Sequence, residues 1–592
     1  MKKTKWLIRK RNADYEALCR TCQISPVCAR VLRNRGLITA DDFQSYLYGD
    51  LNDLSDPRKL RNAAKTAALL EEIIKERRRI RIIGDYDVDG ICATAILLYG
   101  IREAGGNPDY VIPDRIADGY GMNMNLVTKA IEDGIEVLIT CDNGIAAIDQ
   151  IRAAKEAGMT VIVTDHHLPP ASHDIESVPG TGDMACVLPE ADVIVDPAVP
   201  GETYPFPGMC GAVAAWKVMQ LLTHDRMEKV LPLAARAPVC DVMELTGENR
   251  IIVRSGLEKM KQLSSGGLYE LIRHCQLSFA NLSVYDLGFR IGPCLNAGGR
   301  LDTAMKCIRL LFAEPGDDAE MTAKELVMLN EQRKAMTEEQ TRAAFEMIEN
   351  STLTADRILV IYLPECHQSL AGIIAGRIRE AYAHPAIVLT KSNEDNILKG
   401  SGRSIDEWHI HDALEKCSEL LIQFGGHPMA AGLTMREDNL EELRNRLNRD
   451  CDLDDDAFCD TKLIDLELPF SQLSLKLAEE INMLEPFGKG NERPVFVTRS
   501  VRLSYGRVMG IRKNVLRFTA SDPAGIRYPA VWFGDTENFL NDCRACFSDQ
   551  TVDSMMNGKG CIRVNLLYTL KINEYNGIRS LQLLIVDWKK SE

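Results

Sequence analysis

Three aspartates alternate within five residues in Asp85-Tyr86-Asp87-Val88-Asp89-Gly90, where one apolar run stops and a second one starts. Carboxylates crowded this closely repel one another at neutral pH, so they need a cation to hold them. The pattern recurs along the chain. Asp142-Asn143-Gly144 follows "EVLITC", Asp165-His166-His167 follows "TVIVT", Asp196-Pro197 follows "DVIV", and Asp241-Val242-Met243 follows "ARAPVC". One aspartate after a strand is ordinarily a turn residue or a helix cap. Four or five segments that all end in Asp, His or Asn make a ligand set. Oxygen and imidazole donors suit Mn²⁺ or Mg²⁺. Two such ions about 3.5–4 Å apart need this many carboxylates, and together they generate hydroxide and stabilise both oxygens of a phosphoryl displacement. The chemistry expected is metal-assisted phosphoester hydrolysis. An EF-hand calcium loop is excluded, because the twelfth position counted from Asp85 is Ile96, where a bidentate glutamate is required.

Positioning these groups requires strands that end on one edge. Between about residues 80 and 200, β-rich runs (80–83, 109–112, 136–140, 160–164, 192–195) alternate with segments of helical period that stop at glycine. Such alternation means βαβ units and a mostly parallel sheet, covered on both faces, with its ligand crevice beyond the carboxyl ends of the strands. "ARAPVC" is read as one more segment delivering its aspartate to that edge.

The rest of the chain sets the frame. Its 592 residues exceed one core, which predicts about three to five domains. The apolar runs fall far below the roughly 18 residues of a membrane span, and the basic start lacks an apolar signal core, so a cytoplasmic protein with no membrane partner is expected. The 18 cysteines are scattered, apart from the pairs Cys19-Cys22 and Cys543-Cys546; neither pair has a nearby histidine, and all are read as reduced thiols. A formal charge of −15 argues against electrostatic coating of nucleic acid but leaves room for a local basic groove. The basic stretches at 5–11 and 75–81 are read as solvated helix faces.

"DYDVDG", "CDNG" and "TDHH" in this order resemble the DHH phosphoesterase superfamily. Further motifs narrow the resemblance to the RecJ single-strand-specific exonucleases: "PDRIADGYGMN" (113–123), "GPCLNAGGRLDTA" (292–304), "GSGRSI" (400–405), "FGGHPMAAG" (424–432) and "LEPFGKGNERPVF" (484–496). Carried over by motif, the metal ligands fall on Asp85, Asp87, Asp89, Asp142, His166 and Asp241, with Asp142 bridging two ions, Asp87 on one, and Asp89, His166 and Asp241 on the other. His167 is implied as the catalytic group facing the scissile phosphate. Implied substrate contacts are Arg115, Tyr120, Asn296, Arg300, Ser401, Arg403 and His427; "GSGRS" is read as a loop whose amides and side chains take the terminal phosphate. The chain departs from the pattern at Cys294, where many members carry arginine, in lacking Gly-Thr before Asp241, and at His367-Gln368-Ser369, where His-x-Gly is expected.

The fold class expected is α/β: a parallel-sheet DHH domain (61–315) after an N-terminal helical extension (1–60), a long connecting helix (316–354), a second α/β lobe (355–448), and a C-terminal OB-type β-barrel (461–592). The barrel rests on short alternating strands, and the resemblance names it an OB-fold. Tyr505, Phe518, Trp532 and Tyr575 are read as core more often than stacking platform. The implied activity is stepwise hydrolysis of single-stranded DNA from the 5′ end to mononucleotides with Mn²⁺ or Mg²⁺ (two ions), in DNA repair and recombination, assisted by a helicase and a single-strand-binding protein. A phosphodiesterase acting on short oligoribonucleotides or cyclic dinucleotides is the alternative within the superfamily; it needs no barrel. A non-enzymatic, degenerate relative is disfavoured by the intact Asp and His set.

Overall fold

The computed structural model describes residues 4–116, 118, 119, 121–170 and 186–591. The chain divides into two compact units: Leu54–Phe458 is one, and the residues up to Asp53 together with those from Cys459 onward are the other.

The larger unit carries two sheets. The first is wholly parallel, in the order Asp109–Val111, Ile80–Ile83, Val137–Cys141, Thr160–Thr164, Val193–Val195. The chain leaves Ile80–Ile83 toward one side and then crosses to the other. The connections therefore diverge at the carboxyl ends of Ile80–Ile83 and Val137–Cys141, the point where an open α/β sheet forms a ligand crevice. The helix Val88–Glu103 starts there and is buried on nearly every side, which is why "VDGICATAILLYGI" reads as almost continuously apolar rather than amphipathic. Helices Gly211–Thr223, Leu231–Cys240 and Gly292–Leu301 follow. "ARAPVC" thus lies in a helix, not a strand. Its six residues fit either period, and Pro238 sits in the last turn, where the helix is already ending.

The helix Asp317–Glu349, 33 residues long, leads into the second sheet. That sheet runs Leu421–His427, Ala430–Arg436, Ile397–Arg403, Ala386–Lys391, Leu359–Tyr362, antiparallel except for the last pair. "GSGRS" is therefore not an open loop. Its amides belong to the strand Ile397–Arg403, which pairs on both sides.

In the smaller unit, strands Phe496–Met509, Val515–Ser521, Arg527–Phe533, Ile578–Lys590 and Cys561–Tyr575 form a sheet that closes when the first pairs with the last. Two helices, Thr536–Cys546 and Asp549–Met556, are inserted before Cys561. Phe518 lies in the core and Trp532 packs against it, whereas Tyr505 and Tyr575 are exposed. The N-terminal residues share that core through Phe43, Leu32 and Leu47. They are not wholly helical, because Thr4–Ile8 is a strand running parallel to Asp460–Ile464; the basic start is thus partly strand. Among the described residues, no helix is long and apolar enough to cross a membrane.

Candidate metal centre and substrate cleft

Each acidic group reaches the crevice for a local reason. Asp85 leaves the strand Ile80–Ile83 and is buried. Asp87 caps the helix Val88–Glu103, its Oδ1 accepting from the amides of Asp89 (2.9 Å) and Gly90 (3.1 Å). Gly90 passes so close to Asp85 that a Cβ there would stand 2.5 Å from the Asp85 carbonyl oxygen. Asp89, in the first turn of that helix, accepts from the first amides of the helix Gly211–Thr223, those of Gly211 (2.7 Å) and Ala212 (2.8 Å). Asp142 ends the strand Val137–Cys141 with a left-handed φ of 59°, and a Cβ at Gly211 would lie 2.9 Å from its own Cβ. Asp241 terminates the helix Leu231–Cys240 and is followed by Val242 at φ 57°. A β-branched residue with positive φ is a strained turn, and here it sits beside the carboxylate being aimed.

The six expected ligands converge. His166 Nε2 stands 3.0 Å from Asp142 Oδ1, 3.5 Å from Asp89 Oδ2 and 3.9 Å from Asp241 Oδ2. Three sets of donor atoms lie mutually within 4.8 Å: Asp85, Asp87 and Asp142; Asp89, His166 and Asp241; and Asp142, His166 and His167. Asp142 belongs to two of them. Burial, then the charge of Asp87, pushes the Asp85 carboxyl well above its ordinary range. Burial, then Asp89, raises Asp87, and burial, then Asp89, Asp87 and Asp85, raises Asp142 strongly. Burial also lowers His166, which favours the neutral ring that a metal ligand must be. Asp85 Oδ1 is buried with no hydrogen-bond partner. Buried carboxylates that repel one another, an orphaned oxygen and a neutral imidazole fit hard divalent cations of the Mn²⁺ or Mg²⁺ kind.

His167 is held differently. Its Nδ1 lies 2.7 Å from Asp165 Oδ1, while Asp165 Oδ2 accepts from the amide of Ile145 at 3.0 Å. Burial works against the imidazolium, but the hydrogen bond and charge of Asp165 outweigh it and raise His167 to about 9. Asp165 was absent from the expected site; the signal that finds it is the rule that a functional imidazole needs a partner on its other nitrogen.

Arginines face the carboxylates. A cleft of about 410 Å³ between the two sheets is lined by Tyr86, Arg115, Ser369, Lys399 and Phe424, among others. The Arg115 guanidinium sits 4.4 Å over the Tyr86 ring. Arg300 donates to the Ser369 carbonyl across the cleft; burial, then Arg115 and Arg333, lowers it to about 9. Arg403 donates to Ser401 Oγ at 3.0 Å, and burial, then Arg115, lowers it too. Guanidiniums that destabilise one another's charge in a cleft suit a polyanion. Asn296 stands one turn before Arg300 on the helix Gly292–Leu301. His427 ends its strand, and burial, then His167 and His411, lowers it. Cys294 is buried against Cys275, with 3.7 Å between sulfurs, and does not replace the missing arginine as a surface contact. Tyr120 lies outside the described residues. Two further groups were missed: Arg333, whose charge acts on Arg300, and the first turn of the helix Ala371–Tyr382, where a Cβ on Gly372 would meet Ser401 Oγ and an Arg403 terminal nitrogen, each at 2.8 Å.

Comparison with known proteins shows the family. Three family models match: the DHH family N-terminal domain over residues 79–237, the DHHA1 domain over 355–452, and the RecJ OB domain over 464–587. The single-stranded-DNA-specific exonuclease RecJ of Bacillus subtilis is 32% identical over 593 residues, covering 100% of this chain and 71% of that protein. The RecJ of Salmonella typhimurium is 32% identical, with 98% of each chain covered. The crystal structure of RecJ from Thermus thermophilus in complex with Mn²⁺ superposes with a TM-score of 0.79 at 26% identity, covering 100% of this chain and 80% of that one.

Proposed function

Because this chain belongs to the RecJ family of single-stranded-DNA-specific exonucleases, we propose that it hydrolyses single-stranded DNA stepwise from the 5′ end to mononucleotides, using two Mn²⁺ or Mg²⁺ ions. The carrying observation is that Asp142 is common to two clusters of ligand atoms in one buried crevice. In this reading Asp85, Asp87 and Asp142 hold one ion, and Asp89, His166, Asp241 and Asp142 the other. The bound ions would supply an activated hydroxide and stabilise the phosphoryl oxygens. His167, oriented by Asp165, holds its proton on Nδ1 and presents Nε2 away from Asp165 as a donor toward the phosphate or the leaving oxygen. Ser401, Arg403 and the first turn of the helix Ala371–Tyr382 take the 5′-phosphate, since a helix N-terminus favours an anion. Arg115, Asn296, Arg300 and His427 bind the strand between that end and the metals.

The enzyme would act in repair and recombination in the cytoplasm, on strands exposed by a helicase or coated by a single-strand-binding protein. The test is digestion of 5′- and 3′-labelled single- and double-stranded DNA, with Mn²⁺, Mg²⁺ or EDTA. Release of 5′-mononucleotides from single strands only, abolished by EDTA, supports the assignment. Equal turnover of duplex, or faster turnover of two- to five-residue RNA than of long DNA, removes it.

A further inference from the structure

Two large aromatic rings stand on the surface of a turn that packs against the residues just before Asp241. Tyr285 and Phe289 are 62% and 65% exposed, yet they stack on each other with centroids 4.9 Å apart and planes inclined by 24°. They lie four residues apart, spanning the short helix Val284–Asp286 and the π-helical turn Leu287–Ile291. A π-turn costs hydrogen-bond geometry and is concentrated at functional sites.

That turn is clamped onto the segment that ends in Asp241. The Cys240 thiol donates to the Leu287 carbonyl at 3.6 Å. A Cβ on Gly292 would lie 2.5 Å from Cys240 Sγ, and one on Gly288 would lie 3.4 Å from a Val239 methyl. Asp241 is the next residue, and His166 Nε2 is 3.9 Å from its carboxylate. The same turn leads directly into the helix carrying Asn296 and Arg300. The turn that carries the aromatic pair is therefore packed directly against the residues that precede Asp241.

We infer that Tyr285 and Phe289 form a stacking platform for nucleobases of the DNA strand beside the metal centre. This rests on the nuclease reading above and extends it from phosphate to base recognition. Every base offers a π-face, so stacking supplies affinity without sequence preference, which suits an enzyme that must advance past any base.

The experiment compares the unsubstituted enzyme with Tyr285→Ala/Phe289→Ala on a 5′-phosphorylated oligo(dT) and on the same backbone built from abasic residues. The double variant should raise KM for oligo(dT) by about tenfold or more while kcat falls far less, and should leave KM for the abasic strand unaltered. Phe289→Trp, which keeps a ring, should retain the original KM, and its added emission should be quenched by oligo(dT) in EDTA but not by the abasic strand. An unchanged KM for oligo(dT), or an equal rise on both strands, overturns the platform. If the unsubstituted enzyme hydrolyses neither strand, the nuclease reading falls and this inference with it.

Discussion

Asp142 is strained in its backbone, crowded by Gly211 and surrounded by like charge, so it is a poor residue for stability and must be judged by its chemistry. Asp142→Asn keeps the shape and removes the charge. We expect metal-dependent hydrolysis to fall more than about 100-fold, beyond the 10–100-fold typical of residues that only support a ligand. In EDTA the same variant should melt higher than the parent. A carboxyl whose folded pKa is raised binds its proton more readily in the folded state than in the unfolded state. The penalty is therefore greatest at neutral pH and disappears as pH falls through the raised folded pKa toward the unfolded one. The gap in melting temperature should narrow as pH is lowered, and a gap independent of pH refutes this account. Asp165 makes a separate case, because its carboxylate bonds to the His167 ring and to the amides of His166 and Ile145 and is in none of the ligand-atom clusters. Asp165→Asn should lower kcat about 10–100-fold while the Mn²⁺ affinity measured by calorimetry stays near that of the parent; loss of metal binding would make Asp165 part of the metal site itself.

At the scale of elements, the contact between the helix Ala371–Tyr382 and the strand Ile397–Arg403 has a sharp consequence. A methyl on Gly372 meets side-chain atoms of Ser401 and Arg403 rather than backbone, so Gly372→Ala should fold normally while displacing both side chains. Since a hydrogen bond to a charged group contributes about 1.5–3 kcal/mol, the preference for a 5′-phosphate over a 5′-hydroxyl strand should drop by about tenfold; an unchanged preference places the 5′ end elsewhere. This helix terminus was illegible in the sequence because "GSGRS" is rich in glycine and reads as a loop, while its glycines in fact let side chains pack across a sheet: a Cβ at Gly402 would lie 2.1 Å from Ile410 Cδ1. The strands ending in Asp85, Asp142 and Asp165 were legible, because each is a short β-branched run with a polar stop, and buried parallel strands have that pattern. Asp241 was legible as a ligand but not in its setting: "ARAPVC" has no period long enough to separate strand from helix.

For the whole molecule, the net charge of −15 gave no hint of where DNA would lie, since the relevant cations, Arg115, Arg300 and Arg403, are brought together only by folding the two sheets of one unit over a cleft. Nor could local periodicity reveal that Thr4–Ile8 pairs with Asp460–Ile464, more than 450 residues along the chain, so that both ends of the sequence build one core. This division has a thermodynamic consequence. The core holding Phe43, Phe470, Phe496 and Tyr568 lies wholly in the barrel unit, while every metal-ligand candidate that the structure brings together at the crevice lies within Leu54–Phe458. Ligand binding stabilises only the unit that binds, by about 2.7 kcal/mol at a free concentration 100 times Kd. Calorimetry of the full chain should thus resolve two transitions, of which Mn²⁺ raises one and leaves the other in place. The fragment 54–458 should show only the Mn²⁺-sensitive transition. A single transition that shifts as a whole with Mn²⁺ would mean that the two units melt as one, and that the metal centre stabilises the barrel as well.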